Sequence, residues 1–437
     1  MKNRQAAHRS VDNVGKAFVA VQSKRAPKVF QIGCELCRPV NEVFLKRALR
    51  QVIEQFPFFQ VELENGFFWP RLTKSSREPV VTPRVLPQCG QLHGKKRPGL
   101  LYEVTYGGSW VYLAIFHGLT DGMGAACFLR MLVTAYLVIE HGGRAEDVLL
   151  VQAVGLSPRG HGADGYETHY AKKQSGKTGL PRPCFAHQVK APLLKTNANW
   201  DCRVVVGTQA VRAVCHRLGA TVTEFLTAVY INAIYNAAGP GAVHRPVAIA
   251  VPVNLREIFG CHTAKNFFAM VQTRHTAAQG AVSFYEILGQ VQQDFARQLT
   301  PNSLRQNFSR YISVEKSILR FVPLAFKTLF LRFSGWLSSK SSTAVFSNLG
   351  MVALPEEFAG HIKGFDFMDK TEGIKLCVVS YKGEMSLHFT SALATCTVEG
   401  AFLKILEEWG IPIPTQPGGL AAGAAPLILK KKAVGAV

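Results

Sequence analysis

The chain has 437 residues, 48% of them hydrophobic, and carries 50 Lys and Arg against 29 Asp and Glu, a formal net charge of +21 at pH 7. It is too long for one ordinary core and too apolar for a disordered polymer, which implies two globular units of about 200 residues each. The positive excess suits polyanions: nucleic acid, anionic lipid or the phosphates of a nucleotide-bearing substrate. No basic helical stripe and no recognisable aromatic and basic module argues for nucleic acid, so none is expected as a partner.

Ten cysteines are spread through apparent strands and helices, with no secretory signal at the start of the chain, so reduced thiols and a cytoplasmic location are expected. Cys34 and Cys37 share a CxxC spacing inside a probable strand, with no second pair at zinc-finger spacing and no following helix, so neither metal nor redox chemistry is expected there. No transmembrane helix is expected from the apolar runs of the chain.

After a polar start, residues 29–36 read as a strand. Asn41 is placed to cap a helix whose Leu45, Ala48, Leu49, Val52, Ile53 and Phe56 share a face, and Pro57 stops it. Residues 58–63 and 67–72 form a hairpin pattern around Asn65-Gly66. Residues 110–116 are an unbroken apolar run, the pattern of a strand buried on both faces. His117 ends it. From Gly124 onward Cys127, Phe128, Met131, Leu132, Ala135, Tyr136 and Ile139 recur at three- and four-residue steps, predicting a helix that Gly142-Gly143 stops.

Between about 155 and 199 the pattern lapses into Gly, Pro, Lys and His and reads as a linker. Ala171 to Thr178 fits a permissive phosphate-loop pattern. No apolar strand precedes it and Gly179-Leu180-Pro181 prevents a helix, so no nucleoside triphosphate site is expected. Strands at 203–206, 247–253, 267–272, 343–347, 374–381 and 384–390 alternate with helices. Two helices carry capping-box patterns, Thr221 with Glu224 and Ser283 with Glu286, and Lys382-Gly383 marks a hairpin. Residues 318–337 are strongly apolar but interrupted by Arg320, Pro323, Lys327 and Arg332, which predicts a core or interdomain helix over an amphipathic one touching lipid. The final helix ends at Gly410, and a tail follows.

An imidazole at a strand end is placed to trade protons near neutral pH. Asp121, four residues on across a tight turn, can either fix that imidazole or anchor the loop that carries it. The segment HGLTDG at 117–122 resembles the HxxxDG signature of the chloramphenicol acetyltransferase-like superfamily, which includes condensation domains of nonribosomal peptide synthetases and bacterial alcohol acetyltransferase-like proteins. Residues 11–18, 56–63, 252–259, 265–270 and 346–350 are similar, in the same order, to stretches of the alcohol acetyltransferase-like group. Many members have two histidines at the start of the signature. Here the first position is Phe116.

The resemblance implies two similar α/β sandwich domains, 1–180 and 181–412, then a 413–437 tail, with an active-site tunnel between the domains. It implies an acyltransferase that moves an acyl group from acyl-CoA or an acyl-carrier thioester to an alcohol or amine, with His117 as base, Asp121 and Gly122 in the signature and no cofactor or metal. By the same resemblance Arg256 salt-bridges Asp121. Ser347 or Asn348 is the candidate donor to the oxyanion, because each is a polar side chain of the second half. No GxSxG elbow or cysteine–histidine pairing offers a nucleophile, so no acyl-enzyme is expected. The alternatives are a catalytically idle, condensation-like binding module and a basic protein whose main partner is an anionic surface. A peripheral membrane contact is compatible with the basic charge, and the oligomeric state is not legible.

Overall fold

Alternating apolar runs and amphipathic stretches produce the expected mixed α/β architecture. The structure is a computed structural model describing residues 9–23, 26–84, 89–93, 99–154, 162–171, 184–194, 199–239, 241–277, 282–317 and 321–414. The Gly176-Lys177-Thr178 segment and the tail from 415 onward lie outside the described residues.

The first half contains β1 (Arg9–Ser10), α1 (Asn13–Val21), β2 (Val29–Leu36), α2 (Glu42–Gln55), β3 (Val61–Asn65), β4 (Pro70–Lys74), β5 (Val81–Pro83), β6 (Tyr102–Gly107), β7 (Trp110–Phe116), α3 (Gly122–Glu140), α4 (Leu150–Ala153) and α5 (Gly165–His169). The second half contains β8 (Trp200–Gly207), α6 (Thr208–Arg217), α7 (Val222–Ala238), β9 (Val247–Asn254), α8 (Arg256–Phe259), β10 (Phe268–His275), α9 (Phe284–Gln298), α10 (Pro301–Ser317) and α11 (Leu324–Lys340). It ends with β11 (Ala344–Met351), β12 (Ile362–Asp369), β13 (Ile374–Tyr381), β14 (Glu384–Ser391) and α12 (Thr397–Glu408).

Three sheets result, ordered β12-β2-β7-β6-β5, β10-β9-β11-β13-β14-β8, and the small β1-β4-β3. β7 lies between β2 and β6, antiparallel to both, with Leu113 to Phe116 buried, as its unbroken apolar run requires. α3 is apolar all round because it too is enclosed, packing on α2 and β2. By length and composition α3 would pass for a membrane span, but its apolar window is 72% buried inside the protein.

β12 was not expected as a strand. It belongs by sequence to the second half yet pairs antiparallel with β2, from Ile362 opposite Leu36 to Asp369 opposite Phe30, before β13 returns to the other sheet. The two cores are laced together there: Cys377, Val379 and Tyr381 of β13 join the first, while Tyr166 of α5 joins the second. Both faces of β12 are buried, so its sequence lacks the alternation of a half-wet strand. Asp366 within it is held by other strands: His388 Nδ1 lies 2.9 Å from both of its oxygens, Ser386 Oγ donates at 3.2 Å, and Arg203 Nε is 3.5 Å away.

That cluster carries a pH dependence. Burial lowers the His388 pKa, but Asp366 and Asp201 outweigh it and raise the group from the ordinary 6.5 to about 9. Because the folded value is the higher one, its contribution is complete below about pH 6.5 and is lost as pH rises through about 9. The melting temperature should fall over that interval, and His388→Gln should flatten the fall, as thermal unfolding across pH would show.

Other local expectations need correction. Phe58 and Phe59 lie in a buried 3-10 turn rather than a strand, because their rings are needed in the core, Phe59 standing 4.4 Å from Phe128. The β3–β4 hairpin therefore closes at Asn65 opposite Pro70, with residues 66–69 as its loop. Thr221 and Glu224 form their capping box, whereas the Ser283 side chain makes no capping bond. The turn after β13 is as expected, with Lys382 and Gly383 both at positive φ, 43° and 84°. The apolar segment near 318–337 becomes α11, but not as a core helix: one side rests on α1 and much of the other is exposed.

Candidate active site

The end of β7 and the start of α3 form a turn that the second half grips from several directions. Asp121 caps α3, accepting from Gly124 N at 3.0 Å. Its remaining capacity is filled by Phe267 N at 2.8 Å and by a fork from Arg256, Nη1 to Oδ2 at 3.0 Å and Nη2 to Oδ1 at 2.9 Å. Arg256 is itself aimed by the carbonyls of Thr263 and Lys265 and by Asn254 Oδ1. Burial opposes its charge, but Asp121 prevails and raises its pKa above the ordinary value. The Arg256–Asp121 pair is thus present as a bidentate bridge between the halves. It uses Asp121 to anchor the loop, and this carboxylate makes no bond to the imidazole.

Two glycines let the halves come this close. A Cβ at position 122 would stand 2.6 Å from Leu349 Cδ2, and one at 124 would meet Thr120 Oγ1 at 2.0 Å and the Ala264 carbonyl oxygen at 2.4 Å. Leu349 follows Asn348 in β11, so the FSNLG segment reaches the HGLTDG turn. Ser347 and Asn348 pair opposite Cys377 and Val378 of β13. Asn348 donates to Thr223 Oγ1 at 3.2 Å and accepts from Gly350 N at 2.8 Å, so its side chain also holds the local turn.

His117 is fixed by its backbone and by aromatic faces. Its N–H donates to the Lys28 carbonyl at 2.8 Å, and its own carbonyl accepts from Asn266 Nδ2 at 3.0 Å, a side chain that also bonds Asp12 Oδ2. Lys28 adopts φ 55°, uncommon for a residue with a side chain. Asp12 caps α1, and burial above all raises its pKa from 3.8 to about 7. The imidazole lies between Phe18, stacked at 4.5 Å, and Phe30 at 4.3 Å, leaving 16% of the side chain exposed.

Asp369, at the end of β12, is the carboxylate beside the imidazole. Its Oδ2 lies 3.8 Å from His117 Nε2, beyond hydrogen-bond range but close enough to attract the ring once it carries a proton. Lys375 also bonds Asp369. Burial opposes ionisation of this carboxyl, yet Lys375 and His117 hold it well below the usual carboxylate range. The other ring nitrogen, Nδ1, is buried and has no hydrogen-bond partner among the described residues. Asp369 therefore faces Nε2 rather than Nδ1, and with 16% of its side chain exposed the imidazole can take a proton from a ligand that reaches it.

Sequence reasoning missed Asp369, Phe18, Phe30, Asp12 and Asn266 as parts of this site. The last two lie in segments that carry the resemblance, 11–18 and 265–270, as does Phe18. Asp369 had a weaker signal, an acid ending an aromatic run six residues before a lysine. Among the described residues no cluster of His, Cys, Asp or Glu has metal-binding geometry. A shallow surface cavity lined by Arg47, Arg50, Glu54 and Glu146, among others, is built from none of these site residues.

No protein-family model and no curated protein matches the sequence. Solved structures do match in fold. The starter condensation domain of rhizomide synthetase RzmA, in complex with C8-CoA and Leu-SNAC, aligns with a TM-score of 0.59 at 13% identity, over 92% of this chain and 94% of that one. The first condensation domain of the CDA synthetase gives 0.61 at 14% identity, over 94% and 100%. TRI3 trichothecene 15-O-acetyltransferase from Fusarium sporotrichioides gives 0.60 at 12% identity, over 93% and 96%. The chain thus has the fold seen in these condensation domains and in this acetyltransferase.

Proposed function

We propose that the chain is an acyltransferase that moves an acyl group from a thioester to an alcohol or amine, with His117 as general base. The observation that carries this reading is the partly exposed imidazole of His117, its Nε2 3.8 Å from Asp369, on a turn locked by Asp121 and Arg256. It is supported by the shared fold with a condensation domain bound to C8-CoA and with an O-acetyltransferase.

In the proposed reaction the acceptor hydroxyl or amine gives its proton to His117 as its oxygen or nitrogen attacks the thioester carbonyl. Asp369 steadies the imidazolium so formed, by charge across 3.8 Å. Collapse of the tetrahedral intermediate breaks the carbon–sulfur bond, and the imidazolium returns the proton to the departing thiolate. Ser347 and Asn348 remain the candidate donors to the oxyanion. Atoms balance without a covalent acyl-enzyme, a metal or a redox cofactor.

The basic charge makes a nucleotide-bearing donor such as acyl-CoA the better candidate, since its 3′-phosphate and pyrophosphate match Lys and Arg. The direct test is to incubate the full chain with a panel of acyl-CoAs and of alcohols and amines and to measure free thiol. Acceptor-dependent thiol release is expected, with a raised Michaelis constant for an acyl-pantetheine lacking the nucleotide. Release that never depends on acceptor would mean thioester hydrolysis instead of transfer, and none with any donor would favour an idle acyl-binding module.

A further inference from the structure

α11 is inverted relative to an ordinary surface helix. Lys327 is fully buried, donating to the Phe68 carbonyl at 3.0 Å with its ammonium 3.7 Å from the Trp69 ring centre. Phe326, Leu329, Phe330, Phe333 and Trp336 are instead exposed, by 67, 70, 42, 60 and 54% respectively. Their spacing of three and four residues puts them in one stripe. The opposite side is already used: a Cβ on Gly335 would stand 2.8 Å from Val21 of α1, and Arg332 Nε donates to the Ala20 carbonyl at 3.0 Å.

The stripe continues onto the β3–β4 loop. Leu324 N donates to the Phe67 carbonyl at 3.0 Å, tying the helix start to that loop, whose Phe67 and Phe68 are both exposed. Contiguous exposed aromatics on this scale mark an interaction surface. Charge selects its partner. From 316 to 355 the sequence has no Asp or Glu, and apart from the buried Lys327 and Lys316, which pairs with Glu167, it carries Arg320, Arg332 and Lys340. Arg71 and Lys74, on the strand that follows the loop, are exposed as well. Two copies meeting face to face would bring like charges together.

We propose that the outer face of α11 and the β3–β4 loop dock on an anionic lipid bilayer, with the aromatic rings at the headgroup and acyl boundary and the basic side chains against the headgroups. α3, the helix with a membrane-span composition, plays no part, being enclosed in the core. The docking does not depend on acyl transfer and can be measured without any substrate.

The test is sedimentation of the full chain with vesicles of phosphatidylcholine alone or mixed with phosphatidylserine, at low and high salt. Binding is expected to the anionic vesicles, to weaken with salt, and to drop about tenfold or more in a Phe326→Ser, Leu329→Ser, Phe333→Ser triple variant. These side chains are exposed, so the variant should keep the wild-type circular dichroism. Should it fail to fold, quenching of Trp336 by brominated lipid, compared with Trp336→Phe, gives the same answer. Wild-type protein that stays in solution with anionic vesicles, or Trp336 emission untouched by brominated lipid, would overturn the proposal. Self-association lost in the triple variant, without vesicle binding, would make the face an interface between copies.

Discussion

His117→Ala is expected to lower acyl transfer by about two to four orders of magnitude, the range a positioned general base supplies, in a protein that still folds. The imidazole makes no side-chain hydrogen bond among the described residues, and its packing is contact with Phe18 and Phe30. Removing it costs those contacts but breaks no polar network, because Asp369 keeps Lys375. Rates should be compared with circular dichroism and melting temperature on the same preparation. A folded His117→Ala protein turning over at the wild-type rate would mean that another group moves the proton.

Arg256→Ala should show the largest loss of stability. It would leave Asp121, 5% exposed, a buried carboxylate without its cation, which typically costs about 3–5 kcal/mol. Activity should fall with it, since the same pair places the turn that carries His117. Arg256→Lys should not restore either property, because one ammonium cannot reproduce two parallel bonds to Asp121 together with those to the Thr263 and Lys265 carbonyls. Adding Asp121→Asn to Arg256→Ala should cost far less than the sum of the single effects, because the two residues form one unit. Additive losses in a denaturation cycle would show that the bridge contributes little to holding the halves.

Elements whose boundaries are chemically sharp were legible from sequence. β7 ends where its apolar run meets His117-Gly118, β13 ends at Lys382-Gly383, and Asn41 accepts from Val43 N and Phe44 N as the cap of α2. β12 was not legible, because its buried Asp366 and Asp369 look like surface residues until β14 and Lys375 supply their partners. Propensity could not show which side of α11 would meet α1, and the buried Lys327 reversed the usual assignment of charge to solvent. In the site, His117, Asp121 and Gly122 came from a contiguous motif, and Arg256 came from resemblance. Phe30 and Asp369 come from two strands paired only in the folded chain, Asp369 opposite Phe30, and no local spacing announces that register.

Direct transfer from thioester to acceptor can be tested most simply by quenching a reaction of full-length protein, acyl-CoA and acceptor in acid and measuring both the products and the intact protein by mass spectrometry. Attack by an acceptor deprotonated at His117 predicts an ester or amide formed in step with free CoA, with the protein mass unchanged at every time point and no product from His117→Ala. A protein carrying one acyl group before product forms, or product made equally well without His117, would contradict it.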